Sequence, residues 1–184
     1  LSVAIIVFYT ALQCRKRKEA VAAAAGMACP FAGFSIFFNS ITLLSNHPFI
    51  MSVAYSLQFV SVNIMLYRIL LYTVQLTELK GMKRIYKIIS VALLLVVAVV
   101  ILSNPWTNLA LEFKAYMFRG DLYFEFNPKL WYILHMVLSY AFVLDIVLTL
   151  IYKCCKIPLV YAGRYMLELG TVVLIVLCNQ LFLF

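Results

Sequence analysis

Charge is scarce in this chain, and negative charge scarcer still. Only 12% of its 184 residues are charged, with 7 Asp and Glu against 15 Lys and Arg. Histidine occurs twice, as His47 and His135. That leaves little from which to build a nucleophile held beside a base, the minimum for a catalytic site. The sequence has no P-loop, no dinucleotide-binding glycine fingerprint, no nucleophile motif and no zinc spacing. Catalytic residues, a metal centre and a cofactor are therefore not expected within it. The net charge of +8 is compatible with nucleic acid binding, but the bases do not share one solvated face. They sit in short clusters between apolar runs, so nucleic acid is not an expected partner. The five cysteines, Cys14, Cys29, Cys154, Cys155 and Cys178, show no metal-ligand spacing. Cys14 and the Cys154–Cys155 pair border basic clusters, which places them beside a reducing cytosol where disulfides are not expected. Small apolar filling suffices as their role; palmitoylation of Cys154 or Cys155 is open only in a eukaryotic host.

What the chain has is apolar length. Hydrophobic residues make up 66% of it, and its mean hydropathy is +1.02. Runs of roughly 20 apolar residues match a hydrocarbon core ~30 Å thick. The expected fold class is all-α: a polytopic transmembrane helical bundle forming one domain over residues 1–184. Six helices are expected, at about 1–14, 19–42, 48–76, 82–103, 130–152 and 159–184, with a partly ordered outer loop at 104–129. The first run spans only ~21 Å as helix, so the visible chain is expected to begin inside a helix. Its basic cluster follows the apolar part, the reverse of a signal peptide. The second helix carries Ala20, Ala24, Ala28 and Ala32 at every fourth position, a smooth face that packs within the bundle or forms a dimer seam. Pro30 is expected to kink it. The third helix is the most polar, with Tyr55, Gln58, Asn63 and Arg68. The fourth, VALLLVVAVVIL at its centre, is expected to face lipid.

The bases set the orientation. Arg15, Lys16, Arg17, Lys18, Lys80, Lys83, Arg84, Lys87, Lys153, Lys156 and Arg164 fall on one side; Lys114, Arg119 and Lys129 fall on the other. The positive-inside bias makes the first side cytosolic. The carboxyl end then lies outside, and a seventh helix returning to the cytosol is expected beyond it. Residues 103–135 form the one long polar interruption. Asn104-Pro105 and Asn127-Pro128 are breaker pairs at its two ends. Alternation around 122–126 suggests a short hairpin strand, with Arg119-Gly120-Asp121 as its turn. A plain connecting loop is the competing reading.

Polar side chains at membrane depth are costly, and usually face a cavity or one another. Here they form two layers. Toward the outside lie Asn39, Tyr55, Gln58, His135 and Asn179-Gln180, near Trp106 and Trp131. Asn39, Tyr55, Gln58, Trp106, His135 and Asn179 are the candidate residues of a small-ligand pocket with aromatic walls. Interhelical hydrogen bonding, with the tryptophans as interface anchors, is the alternative. Toward the inside lie Arg68, Asp145 and Glu168, all ~12 Å above the inner surface at 1.5 Å per helical residue. Arg68 is the natural hub of such a charge cluster, since its guanidinium bridges two carboxylates. The cluster serves as a static clasp or as a switch between two pairings, with Arg164 a competitor for Glu168.

The motifs resemble a known family. A short first helix ends in CRKRK, a fourth helix runs into LSNPWTNLALEF, and the outer loop leads into helix 5 as RGDLYFEFNPKLWYILHMVLSY. A sixth helix has an early Arg164 and a late Asn179. This pattern is similar to the N-terminal seven-helix sensor region found ahead of bacterial histidine kinase domains, and of some diguanylate cyclase domains. The family often has histidine two residues after the Asn-Pro, where this chain has Thr107, and Pro-Gly where it has Asn127-Pro128; histidine-dependent ligand chemistry is not carried over. The resemblance implies a multi-pass protein of a bacterial inner membrane, in contact with lipids and working as a homodimer. It would sense a small molecule or envelope condition and pass a helix movement to a cytosolic output. A small transporter or substrate-binding subunit of a transport complex is the alternative, and a structural or assembly subunit the third.

Overall fold

A computed structural model describes residues 2–16, 20–78, 84–118 and 121–181. The elements in chain order are α1 (Ser2–Lys16), α2 (Ala20–Leu44), α3 (Pro48–Leu76), α4 (Arg84–Leu102), the single-turn α5 (Asn104–Thr107), β1 (Leu111–Phe118), β2 (Asp121–Pro128), α6 (Leu130–Lys156) and α7 (Leu159–Leu181). Helix α3 is central, packing against α2, α4, α5, α6 and β1. Helix α1 lies on α2, and α7 lies on α6.

The distribution of side chains is that of a bundle in lipid. Four helices, at Ala22–Leu44, Pro48–Leu76, Arg84–Leu102 and Leu130–Lys156, are long and apolar enough to cross a membrane. Helix α4 buries one stripe, Ser90, Leu94, Val97 and Ile101, at helical spacing. It exposes Ile85, Ile88, Leu95 and Val99, as its uniformly apolar sequence leads one to expect. Helix α6 turns inward His135, Ser139, Phe142, Ile146 and Leu150, and exposes Ile133, Val137, Leu144 and Leu148. In both helices the inward stripe carries Ser90, His135 and Ser139 together with large apolar side chains, and the outward face is mostly aliphatic. The protein is a multi-pass membrane bundle with an all-α core.

Two close approaches explain the small residues. Ala24 and Ala28 of α2, Ala4 and Ala11 of α1 and Ala54 of α3 are buried. A Cβ added at Gly33 of α2 would stand 2.9 Å from the Phe8 ring of α1. Ala24 and Ala28, two of the four alanines on the regular face of α2, are thus packed within the bundle. Pro30 lies within α2, which remains helical through it.

Helix ends follow local chemistry. Pro48 starts α3 at a position where its missing N–H is no loss. The Thr77 hydroxyl donates to the Thr73 carbonyl at 2.8 Å, and Glu78 at φ 52 ends the turn. Helix α6 continues past the expected boundary at 152, through Lys153-Cys154-Cys155-Lys156. Lys153 and Lys156 in its last turn favour the negative end of the helix dipole.

The polar interruption departs most from expectation. It is not a plain loop, and its strands are longer than the alternation suggests. β1 and β2 pair antiparallel along their whole length, from Leu111 opposite Pro128 to Phe118 opposite Asp121. The expected turn residues Arg119 and Gly120 lie outside the described residues. Glu112, Lys114 and Ala115 of β1 are weak strand formers. The strand forms because its Leu111 end is held by tertiary contacts.

Candidate functional site: an aromatic cap on buried amides

Phe113 and Phe126 are directly opposite in the hairpin, and their rings meet edge to face at 6.1 Å. Both reach Tyr55 of α3, with centroids at 5.4 Å for Phe113 and 5.9 Å for Phe126. Phe126 also packs edge-on against Tyr132 of α6 at 5.1 Å. Tyr132 continues to Phe59 of α3 at 5.5 Å, and Phe59 to His135 of α6 at 4.8 Å. Six rings therefore run from the hairpin down between α3 and α6. Each such contact adds roughly 0.5–1.5 kcal/mol beyond the burial of its area.

The rings end on a hydrogen-bonded cluster. Asn63 Nδ2 lies 2.8 Å from His135 Nδ1, and the Ser139 hydroxyl lies 2.7 Å from Asn63 Oδ1 and 3.0 Å from the His135 carbonyl. An amide NH2 only donates, so His135 Nδ1 accepts and the ring proton sits on Nε2. All three side chains are buried.

A second cluster anchors the hairpin. Asn104 is fully buried at the start of α5. Its Oδ1 accepts from the backbone N–H of Ala110 at 2.7 Å and of Leu111 at 2.9 Å. Its Nδ2 donates to the Leu111 carbonyl at 3.0 Å and to the Ser52 hydroxyl of α3 at 3.1 Å. Leu111 and Pro128 form a non-hydrogen-bonded pair, because the Lys129 N–H donates to the Ala110 carbonyl at 2.9 Å; the N–H and carbonyl of Leu111 therefore face away from β2, and the Asn104 amide satisfies both. Asn108 adopts the left-handed conformation, φ 50, and its N–H closes onto the Asn104 carbonyl at 2.8 Å. Asn104-Pro105 does more than break a helix. It starts one turn of helix and hooks the first strand to α3.

Above this hook a cavity of about 240 Å³ opens between Pro48, Phe49, Ser52, Pro105, Asn108, Glu112 and Phe113. Glu112 is ion-paired to Lys129 at 3.3 Å.

The residues singled out in the sequence are placed as follows. Tyr55 and His135 share the ring stack. Trp106 stands away from it, 73% exposed, edge-on to Phe49 at 6.0 Å. Gln58 has a buried Oε1 without a hydrogen-bond partner. Asn39 is exposed on α2. Asn179 is helical in α7, and its side chain lies outside the described residues. Tyr55, Gln58, Trp106 and His135 do not line the cavity, whose polar groups are Ser52, Asn108 and Glu112.

The charge cluster is not joined. Arg68 reaches the Met27 sulfur of α2 at 3.9 Å, whereas Asp145 accepts from the Tyr86 hydroxyl of α4. Glu168 and Arg164 of α7 are electrostatic neighbours of Tyr72 on α3. Among the described residues the one ion pair is Lys129–Glu112. Counting residues from the helix ends gives depth. It does not give rotation about the helix axis, and rotation turns Arg68 and Asp145 toward different helices.

A family model described as the N-terminal 7TM region of histidine kinase matches residues 1–184. The chain belongs to this family. No curated protein and no solved structure matches it. Sequence reasoning had pointed to Asn63 and His135 separately; it missed Ser52, Ser139 and the bonding role of Asn104. The available signal was a polar spacing on buried faces: Ser52, Ser56 and Asn63 along α3, and His135 four residues before Ser139 on α6.

Proposed function

We propose that this histidine kinase 7TM region is sensory. The hairpin end lies outside the cytoplasmic membrane and reads a small polar ligand or an envelope condition. The basic end lies in the cytosol and passes a helix movement to the output. One observation carries the reading: Ser52 both lines the hairpin-end cavity and accepts the Asn104 bond that holds β1. Anything that competes for the Ser52 hydroxyl therefore acts on the hook between hairpin and α3. Below it, the ring stack and the Asn63–His135 bond join α3 to α6, so a shift of the hairpin changes how those helices meet. A ligand shifts such an equilibrium only by its differential affinity for the two arrangements.

The test uses membranes carrying the full-length kinase. Ser52→Ala and Glu112→Gln are expected to change autophosphorylation from labelled ATP several-fold while protein abundance stays at the unsubstituted level. Phosphorylation equal to the unsubstituted level in both variants refutes the sensory role of the cavity. Orientation is checked separately in a cysteine-free background. An impermeant thiol reagent added to intact cells is expected to modify Met117→Cys on the hairpin and to spare Lys156→Cys. The reverse pattern overturns the orientation.

A further inference from the structure

At the opposite end, α6 and α7 meet around Ile157-Pro158 and border an open cavity of about 480 Å³. Lys153 from the last turn of α6 lines it, with Pro158, Tyr161, Gly163, Arg164 and Tyr165. Two cations face this space and no acid lines it. Neither Lys153 nor Arg164 is ion-paired among the described residues, although Glu168 stands one turn beyond Arg164. The Lys153 ammonium is held 5.8 Å from the Tyr165 ring centroid, within cation–π range. Nothing lies within 4 Å of a Cβ added at Gly163, so the missing side chain keeps that wall open. Lys153 and Lys156 mark the basic end of the candidate span Leu130–Lys156, the end at which lipid headgroups are expected.

We infer that the α6–α7 junction binds a phosphate group between Lys153 and Arg164. Two sources share that chemistry, the headgroup of an anionic phospholipid and soluble phosphate. A lysine ammonium and an arginine fork supply charge and directed donors, and basic pockets between helices at a membrane face suit anionic headgroups. The Tyr165 hydroxyl approaches the Leu76 carbonyl at 3.4 Å, so an occupant beside Tyr165 also sits next to the end of α3.

The experiment places the whole chain in nanodiscs of equal parts phosphatidylcholine and phosphatidylglycerol and counts retained lipids by native mass spectrometry. In parallel, inorganic phosphate is titrated into nanodiscs of phosphatidylcholine alone. Retention of phosphatidylglycerol over phosphatidylcholine identifies the lipid; saturable binding of inorganic phosphate identifies the soluble ion. In whichever arm binds, Lys153→Gln and Arg164→Gln are each expected to weaken it on the order of fivefold. Gly163→Val adds bulk at the cavity wall without altering charge and is expected to weaken the preference, with circular dichroism confirming the fold. Lys156→Gln, outside the cavity, is expected to leave it within twofold. Binding in neither arm overturns the proposal. So does binding that Gly163→Val leaves intact, or that Lys156→Gln weakens as much as Lys153→Gln.

Discussion

Asn104→Ala is expected to lower the stability of the detergent-solubilised protein by about 3–5 kcal/mol, and to free the hairpin before the helices melt. The substitution strands three buried backbone groups at once: the N–H of Ala110, the N–H of Leu111 and the carbonyl of Leu111. A buried polar group left without a partner costs about 1–3 kcal/mol. Ala110 and Leu111 are fully buried, so water cannot replace the amide without opening the site. Ser52→Ala removes only one of the four bonds and is expected to cost no more than about 1 kcal/mol. Asn104→Asp separates the two halves of the amide. It keeps both acceptor functions but turns the donor into an oxygen facing the Leu111 carbonyl, so it should rescue little. Thermal unfolding gives the stability, and hydrogen exchange across Leu111–Phe118 gives the local effect. An Asn104→Ala protein within about 1 kcal/mol of the unsubstituted one, with the hairpin still protected, would refute the account.

The helices were legible because the membrane imposes a coarse rule. Apolar runs of fixed length, bounded by bases or by breakers such as Asn127-Pro128, leave few choices for where a span begins and ends. The inward placement of Asn63, His135 and Ser139 follows from lipid offering them no partner, whereas Asn39 is exposed on α2. Which polar groups meet was not. Arg68, Asp145 and Glu168 share a depth by residue count, yet Arg68 turns to Met27 of α2 and Asp145 to Tyr86 of α4. A few tens of degrees about a helix axis decide that, and no periodicity in so uniformly apolar a chain reports it. Asn104 was hidden for a different reason. As half of Asn-Pro it already had an explanation as a breaker, and its bonds run to backbone groups that any sequence has. The hairpin was half legible: β2 alternates, while β1 takes its conformation from Asn104 at one end and the Phe113–Tyr55 contact beside it.

The Asn63–His135 bond gives the second large effect, and a pair of substitutions reads it. His135→Leu leaves the Asn63 amide N–H₂ buried without its acceptor. Asn63→Leu leaves His135 Nδ1 without its donor and the Ser139 hydroxyl with only the backbone carbonyl. Each is expected to cost about 1–3 kcal/mol, the penalty of one unpaired buried group. The double variant removes both partners and places two leucines between α3 and α6, where lipid-like packing suits them. Its cost should fall below the sum of the singles by about 1–2 kcal/mol, near the upper limit for interhelical hydrogen bonds in membranes. His135→Phe separates the ring from the bond. It keeps the stacking on Phe59 and Tyr132, so it should be less harmful than His135→Leu both in the unsubstituted background and beside Asn63→Leu. Unfolding by denaturing detergent measures all six proteins on one scale. Strictly additive costs for Asn63→Leu and His135→Leu would mean that the 2.8 Å contact carries no coupling between the helices, and that the ring stack alone joins α3 to α6 beneath the hairpin.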